Sequence, residues 1–207
     1  PTHPQFVDEE QALIKKLKPM SAKKLSELMS VSAALAQLNR GRYKAWSAEF
    51  TDANSRPAIY AFKGDVYVGL DALTLSAEDI EYAQGHLRML SGLYGLLRPL
   101  DRMQPYRLEM GTKLTVRSSK NLYQFWDKKI TEALNADLAA TESEALVNLA
   151  SNEYFKSVKP KLLSGRVVTP IFKDWKTDKY KVISFFAKKA RGAMARFLIQ
   201  NRVRDRD

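Results

Sequence analysis

Apolar residues recur at helical spacing through the first 46 residues. Phe6, Leu13, Ile14 and Leu17 predict a helix over 6–17. Pro19 ends it, and Ser21 is placed to cap a second helix. Leu25, Leu28, Met29, Leu35 and Leu38 continue the apolar face, so this region reads as scaffold. From Pro57 the pattern changes to short apolar runs. Residues 58–62 predict a strand, Gly64-Asp65 a turn, and Val66-Tyr67-Val68 a second strand. Ser76 with Asp79 three positions on opens a helix expected to run to about Leu90. A glycine-punctuated hairpin follows over 90–99. Residues 122–138 predict one more helix, and 145–149 a short buried strand. Residues 167–186 predict a β-hairpin, with Val167, Val168, Ile171 and Phe172 opposite Tyr180, Val182, Ile183 and Phe185 and a turn near Thr177-Asp178. The last helix is expected over 188–203, with an apolar stripe of Ala190, Met194, Phe197, Leu198 and Asn201. Irregularly interleaved helices and short strands predict a single mixed α+β domain over 1–207 rather than a doubly wound sheet.

Composition narrows the class. With 45% hydrophobic and 28% charged residues the chain is ordinary globular sequence. No apolar run approaches the roughly 18 residues of a membrane helix. The first ten residues are polar and carry three acids, unlike a signal peptide. Cysteine is absent, which excludes disulfides and thiolate metal sites and suits a reducing cytoplasm. His3 and His86 are the only histidines, so neither a dedicated metal site nor a cofactor is expected. Charge adds the strongest cue. From Lys156 to Asp207 there are 15 Lys or Arg against 4 Asp or Glu, whereas residues 1–155 carry 19 of each, so the whole net charge of +11 lies in the last quarter. Such asymmetry points to a polyanionic partner, against the plainer reading of a solvated basic face.

Several segments are candidates for chemistry. Lys188, Lys189, Arg191 and Arg196 cluster on the last helix, where phosphate contacts would release counterions. Gly192 is expected on the polar side of that helix, leaving room for a ligand to approach. The 90–99 hairpin has the texture of a helix-hairpin-helix element, in which Gly92 and Gly95 would free backbone N–H groups for a phosphate and Arg98 and Arg107 would add charge. The alternative is a plain helix-terminating turn. Ser151 sits at a strand-to-helix junction, either as a simple cap or at an anion-receiving helix start, with Lys156 and Lys159 close by. Lys63, Asp65, Asp101 and Glu109 lie near glycine-rich turns and are candidate catalytic groups, with carboxylates as general bases and cations to hold phosphate. No Ser/His/Asp set, paired-His motif or phosphate loop is present.

In order along the chain, six segments resemble the YaaA family of bacterial peroxide-stress proteins. They are Phe62-Lys63-Gly64-Asp65-Val66-Tyr67, the run from Leu90-Ser91-Gly92 through Gly95-Leu96-Leu97-Arg98-Pro99-Leu100-Asp101, Pro105-Tyr106-Arg107-Leu108-Glu109-Met110, Leu122-Tyr123-Gln124-Phe125-Trp126, Asn148-Leu149-Ala150-Ser151 with Glu153-Tyr154-Phe155-Lys156-Ser157-Val158, and Ala187-Lys188-Lys189-Ala190-Arg191-Gly192. The resemblance implies a cytoplasmic bacterial protein of mixed α/β fold, induced by hydrogen peroxide and associated with limiting free intracellular iron. It also implies a helix-hairpin-helix-like element and a basic cleft. Compared with the family pattern, this sequence does not show the initial strand with its Ser-Pro-Ala-Lys segment or the family's further C-terminal segment. The expectation is a DNA-binding protein acting on duplex or distorted DNA. The rival is an enzyme acting on DNA or nucleotides in the manner of base excision.

Overall fold

The computed structural model describes residues 1–176 and 178–203. Three helices open the chain: α1 (Val7–Leu17), α2 (Ala22–Met29) and α3 (Ala33–Ala45). Ser21 caps α2 as expected, accepting from the Lys24 N–H at 3.3 Å, and Ser32 does the same for α3. Leu13, Ile14, Leu17, Leu25 and Met29 are buried. Leu38, expected on the same face, is half exposed, because α3 turns Ala36, Asn39 and Tyr43 inward instead.

The 57–70 region departs from the expected strand pair. Only Arg56–Pro57 (β1) is extended; α4 (Ala58–Ala61) and α5 (Asp65–Leu70) follow. Runs this short do not separate a strand from a buried helical turn by periodicity alone. Gly64, at φ 130°, turns the chain into α5, and Asp65 sits in its first turn, where a helix dipole favours a carboxylate.

The Ser76–Asp79 capping box forms in both directions and starts α6 (Ala77–His86). That helix stops four residues short of Leu90, because 89–91 pair as a strand. β2 (Met89–Ser91) and β3 (Gly95–Leu97) form a tight antiparallel hairpin, pairing Met89 with Leu97 and Ser91 with Gly95. The helix-hairpin-helix reading is thereby corrected. The glycines join two strands, and the chain after Pro99 runs to β4 (Arg102–Met103), the partner of β1, rather than into a second helix.

The expected 122–138 helix divides into α7 (Leu122–Trp126) and α8 (Lys129–Ala140), separated at Asp127, which has φ 39°. β5 (Ala145–Val147) is only half-buried, contrary to expectation, and pairs in parallel with β6 (Arg166–Val168). Between them lie α9 (Asn152–Phe155), capped by Ser151, and a 3-10 turn at Pro160–Leu162. Val167 and Val168 therefore do not belong to the terminal hairpin. Pro170 interrupts the run, and the hairpin forms from β7 (Asp174–Lys176) and β8 (Lys179–Lys181). Thr177, expected near that turn, lies outside the described residues. The chain continues into α10 (Ser184–Gln200).

The result is a mixed α+β architecture of short helices and two-stranded sheets. Its core is centred on Trp126, Tyr94, Leu93, Leu96 and Leu97, all essentially inaccessible to solvent. No helix among the described residues is long and apolar enough to cross a membrane.

Candidate nucleic-acid interface

Helix α10 crosses α5 at van der Waals closeness because each contributes a glycine. A Cβ at Gly192 would lie 1.8 Å from the Val66 carbonyl oxygen, and one at Gly69 would lie 2.1 Å from the Lys189 carbonyl oxygen. Gly192 is therefore a packing residue, not an open approach for a ligand. The buried stripe of α10 is Ala187, Gly192, Ala195 and Ile199, while Phe197, expected inside, is exposed. The large apolar residues misdirect the helical wheel because backbone contact selects small residues. Arg196 is also reassigned: it donates to the Leu70 and Asp71 carbonyl oxygens at 3.1 and 2.9 Å, closing the C-terminal end of α5.

This packing turns Lys188 and Lys189 to solvent at the start of α10. The Lys189 ammonium lies 4.6 Å from the centre of the Phe185 ring. The second basic segment follows α9. α9 leads directly to Lys156, whose ammonium sits 5.0 Å from the Tyr123 ring centre, and then to Lys159. Among the described residues, Lys156, Lys159, Lys188, Lys189 and Arg191 make no ion pair with a carboxylate.

The 92–98 hairpin does not offer its glycines to a ligand. Gly92 and Gly95 are buried. A Cβ on Gly92 would meet the Leu108 carbonyl at 2.2 Å, and one on Gly95, at φ 70°, would meet the Trp126 ring at 2.6 Å. The Gly92 carbonyl accepts from the Trp126 indole N–H at 3.1 Å. Their absent side chains serve core packing. Arg98 remains partly exposed but is held by Asp101, which is 1% exposed and accepts from the Arg98 backbone N–H at 2.7 Å, its guanidinium at 2.9 Å and the Thr2 hydroxyl at 2.5 Å.

Among the described residues no hydrogen bond or ion pair joins the other catalytic candidates to Asp101. Glu109 pairs with Arg107 at 2.6 Å on the surface. Lys63 is exposed in the turn before α5, and Asp65 is half-buried at that helix's start. Arg107 has a buried Nε without a partner, and its carbonyl accepts from the Tyr43 hydroxyl.

Sequence reasoning missed a cluster of tyrosines inside the quoted motifs. Tyr106 bonds Ser91 at 2.6 Å and stands edge-on to Tyr94, and Phe62 stacks on Tyr67 with ring centres 5.2 Å apart. Burial raises the hydroxyls of Tyr67 and Tyr106 well above the ordinary tyrosine range, and the charge of Tyr154 adds to both. Burial also pushes Tyr154 up to about 12, with Glu153 and Glu109 contributing. These hydroxyls are therefore neutral at physiological pH. Their common signal was the recurrence of tyrosine in five of the six motif segments, which carries no periodicity.

The fold defines a mixed α+β protein whose net positive charge lies in its last quarter. The chain matches the description "Peroxide stress protein YaaA" over residues 1–207. A UPF0246 protein of Aliivibrio fischeri strain MJ11 is 61% identical over 202 residues, covering 98% of this chain and 78% of the relative. UPF0246 proteins of Saccharophagus degradans and Ralstonia nicotianae are each 57% identical, covering 98% and 99% of this chain and 79% of each relative. The chain belongs to the YaaA family of peroxide stress proteins.

Proposed function

We propose that this protein acts in the peroxide stress response by binding DNA through the face formed by Lys156, Lys159, Lys188, Lys189 and Arg191. The observation that carries the reading is that these cations lie in the quarter of the chain that holds the whole net charge of +11, and that none of them makes an ion pair among the described residues. Phosphates would complete the basic set and release counterions. The hairpin glycines drop out of this interface because they are buried, and Arg196 drops out because it closes α5. A cytoplasmic setting accords with such a partner.

The test is titration of duplex DNA at two salt concentrations. Binding that weakens steeply with salt supports the reading; absence of binding at low salt, or indifference to salt, contradicts it. The rival enzyme reading is weakened because Asp101 and Glu109 are both engaged by arginines.

A part in limiting free iron, which the family resemblance suggests, would act through nucleic acid rather than through an iron cage in this chain. The donor set is poor: there is no cysteine, and the His86 ring is stacked on Tyr82 with its Nδ1 against the Tyr82 carbonyl at 2.9 Å. Protein passed through gel filtration in ferrous buffer is expected to retain no stoichiometric iron, and retention of one iron per chain would contradict this.

A further inference from the structure

We infer that the β7–β8 hairpin is a stacking platform for unpaired DNA bases, an inference that rests on the DNA-binding reading and refines it. Trp175 and Tyr180 are direct cross-strand partners, so their side chains share one face of the two-stranded ribbon. Their rings meet edge to face with centres 5.0 Å apart. Buried pairs of this kind belong to cores, yet here Trp175 is 59% exposed and Tyr180 67%. A groove of about 400 Å3 runs from Asp174 of β7 to Ala187 and Ala190 of α10, lined also by Phe172, Lys173 and Phe186. It is therefore continuous with the helix that carries Lys188 and Lys189.

Charge selects the occupant. Between Lys173 and Arg191 the sequence places seven cations against two carboxylates, Asp174 and Asp178. Exposed aromatic faces among cations match a strand whose bases stack while its phosphates meet lysines. A duplex hides its base faces, so the platform is specific for single-stranded, bulged or otherwise opened DNA. Stacking requires only a π face, so no sequence preference is expected.

The full chain is titrated with fluorescently labelled (dT)20 and with a blunt 20-base-pair duplex, reading anisotropy together with tryptophan emission. Trp46 and Trp126 are buried, so a quencher acting from solvent reports chiefly on Trp175. Expected results are quenching by (dT)20 and a loss of (dT)20 affinity of about 5- to 150-fold in the Trp175→Ala/Tyr180→Ala double variant, the range for one stacked base. Duplex affinity should stay within about twofold, and Trp175→Phe should keep most of the (dT)20 affinity. Matching melting curves for the variants establish that the fold is intact. If the duplex binds in a salt-dependent way but the double variant holds (dT)20 normally, or loses both ligands equally, the platform is overturned and the DNA reading stands. If neither ligand binds at low salt, both fall. Protection of Trp175 by raising protein concentration, or by phosphatidylglycerol vesicles with (dT)20 without effect, would assign the patch to a second copy or to a membrane and overturn the proposal.

Discussion

Single residues carry much of the specification, and two of them make opposite points about what a side chain is for. Gly192 is needed for the atoms it lacks: α10 rests on the α5 backbone there, with no room for a methyl group. Gly192→Ala is expected to cost about 1–3 kcal/mol or more, since backbone rather than a flexible side chain must yield. For a chain of this size each kcal/mol lowers Tm by roughly 2–4 °C, so calorimetry of the variant should show a clear drop; an unchanged Tm would mean that the two helices do not touch as described. Glu10 has the reverse problem. Its carboxylate is buried, one oxygen has no hydrogen-bond partner, and burial pushes its carboxyl up to about 8. In the unfolded chain it would titrate near 4.5. The folded state therefore holds this proton more tightly. The stability it confers is complete below about 4.5 and is lost as pH rises through about 8. Glu10→Gln should flatten the decline of Tm between pH 5 and pH 9 and raise stability at the alkaline end. An unaltered pH profile would show that Glu10 is solvated or paired.

At the scale of elements, what could be read in the sequence was what neighbouring residues decide among themselves. Ser21, Ser151 and Ser76 cap their helices because each hydroxyl accepts from the N–H three positions on, and the Asp79 carboxylate accepts in return from the Ser76 N–H. The 58–62 and 66–68 runs were legible only as apolar. Their helical form depends on β4 lying beside Pro57 and on α10 closing over Gly69, contacts from 45 to more than 100 residues away. The same limit applies to the site. The basic cluster is visible in composition, and Lys188 and Lys189 are solvent-facing as expected. That Asp101 would be occupied by Arg98 and Thr2, that Arg196 would close α5, and that Gly92 would press against Leu108 are all consequences of distant pairing. A helical stripe drawn from large apolar residues also misplaces α10, since its tightest contact is made by glycine.

For the whole molecule, the central proposal is that the basic last quarter presents one DNA-binding face. Several arginines are ion-paired: Arg88 with Asp137, Arg98 with Asp101, Arg102 with Asp52 and Arg202 with Asp79. Lys156, Lys159, Lys188 and Lys189 have no such partners among the described residues. Net charge alone would attract DNA diffusely to any basic surface, including Lys15 and Lys16, which α1 also exposes. A defined face would not treat the two pairs alike. The most direct measurement is the slope of log affinity against log salt for duplex DNA, compared among the parent chain, Lys188→Ala/Lys189→Ala and Lys15→Ala/Lys16→Ala. Removing two phosphate contacts should reduce the slope by about 1.8 and weaken binding across sequences in the first variant, with little change in the second. Equal losses in both variants would contradict a site on α10 and leave only diffuse attraction.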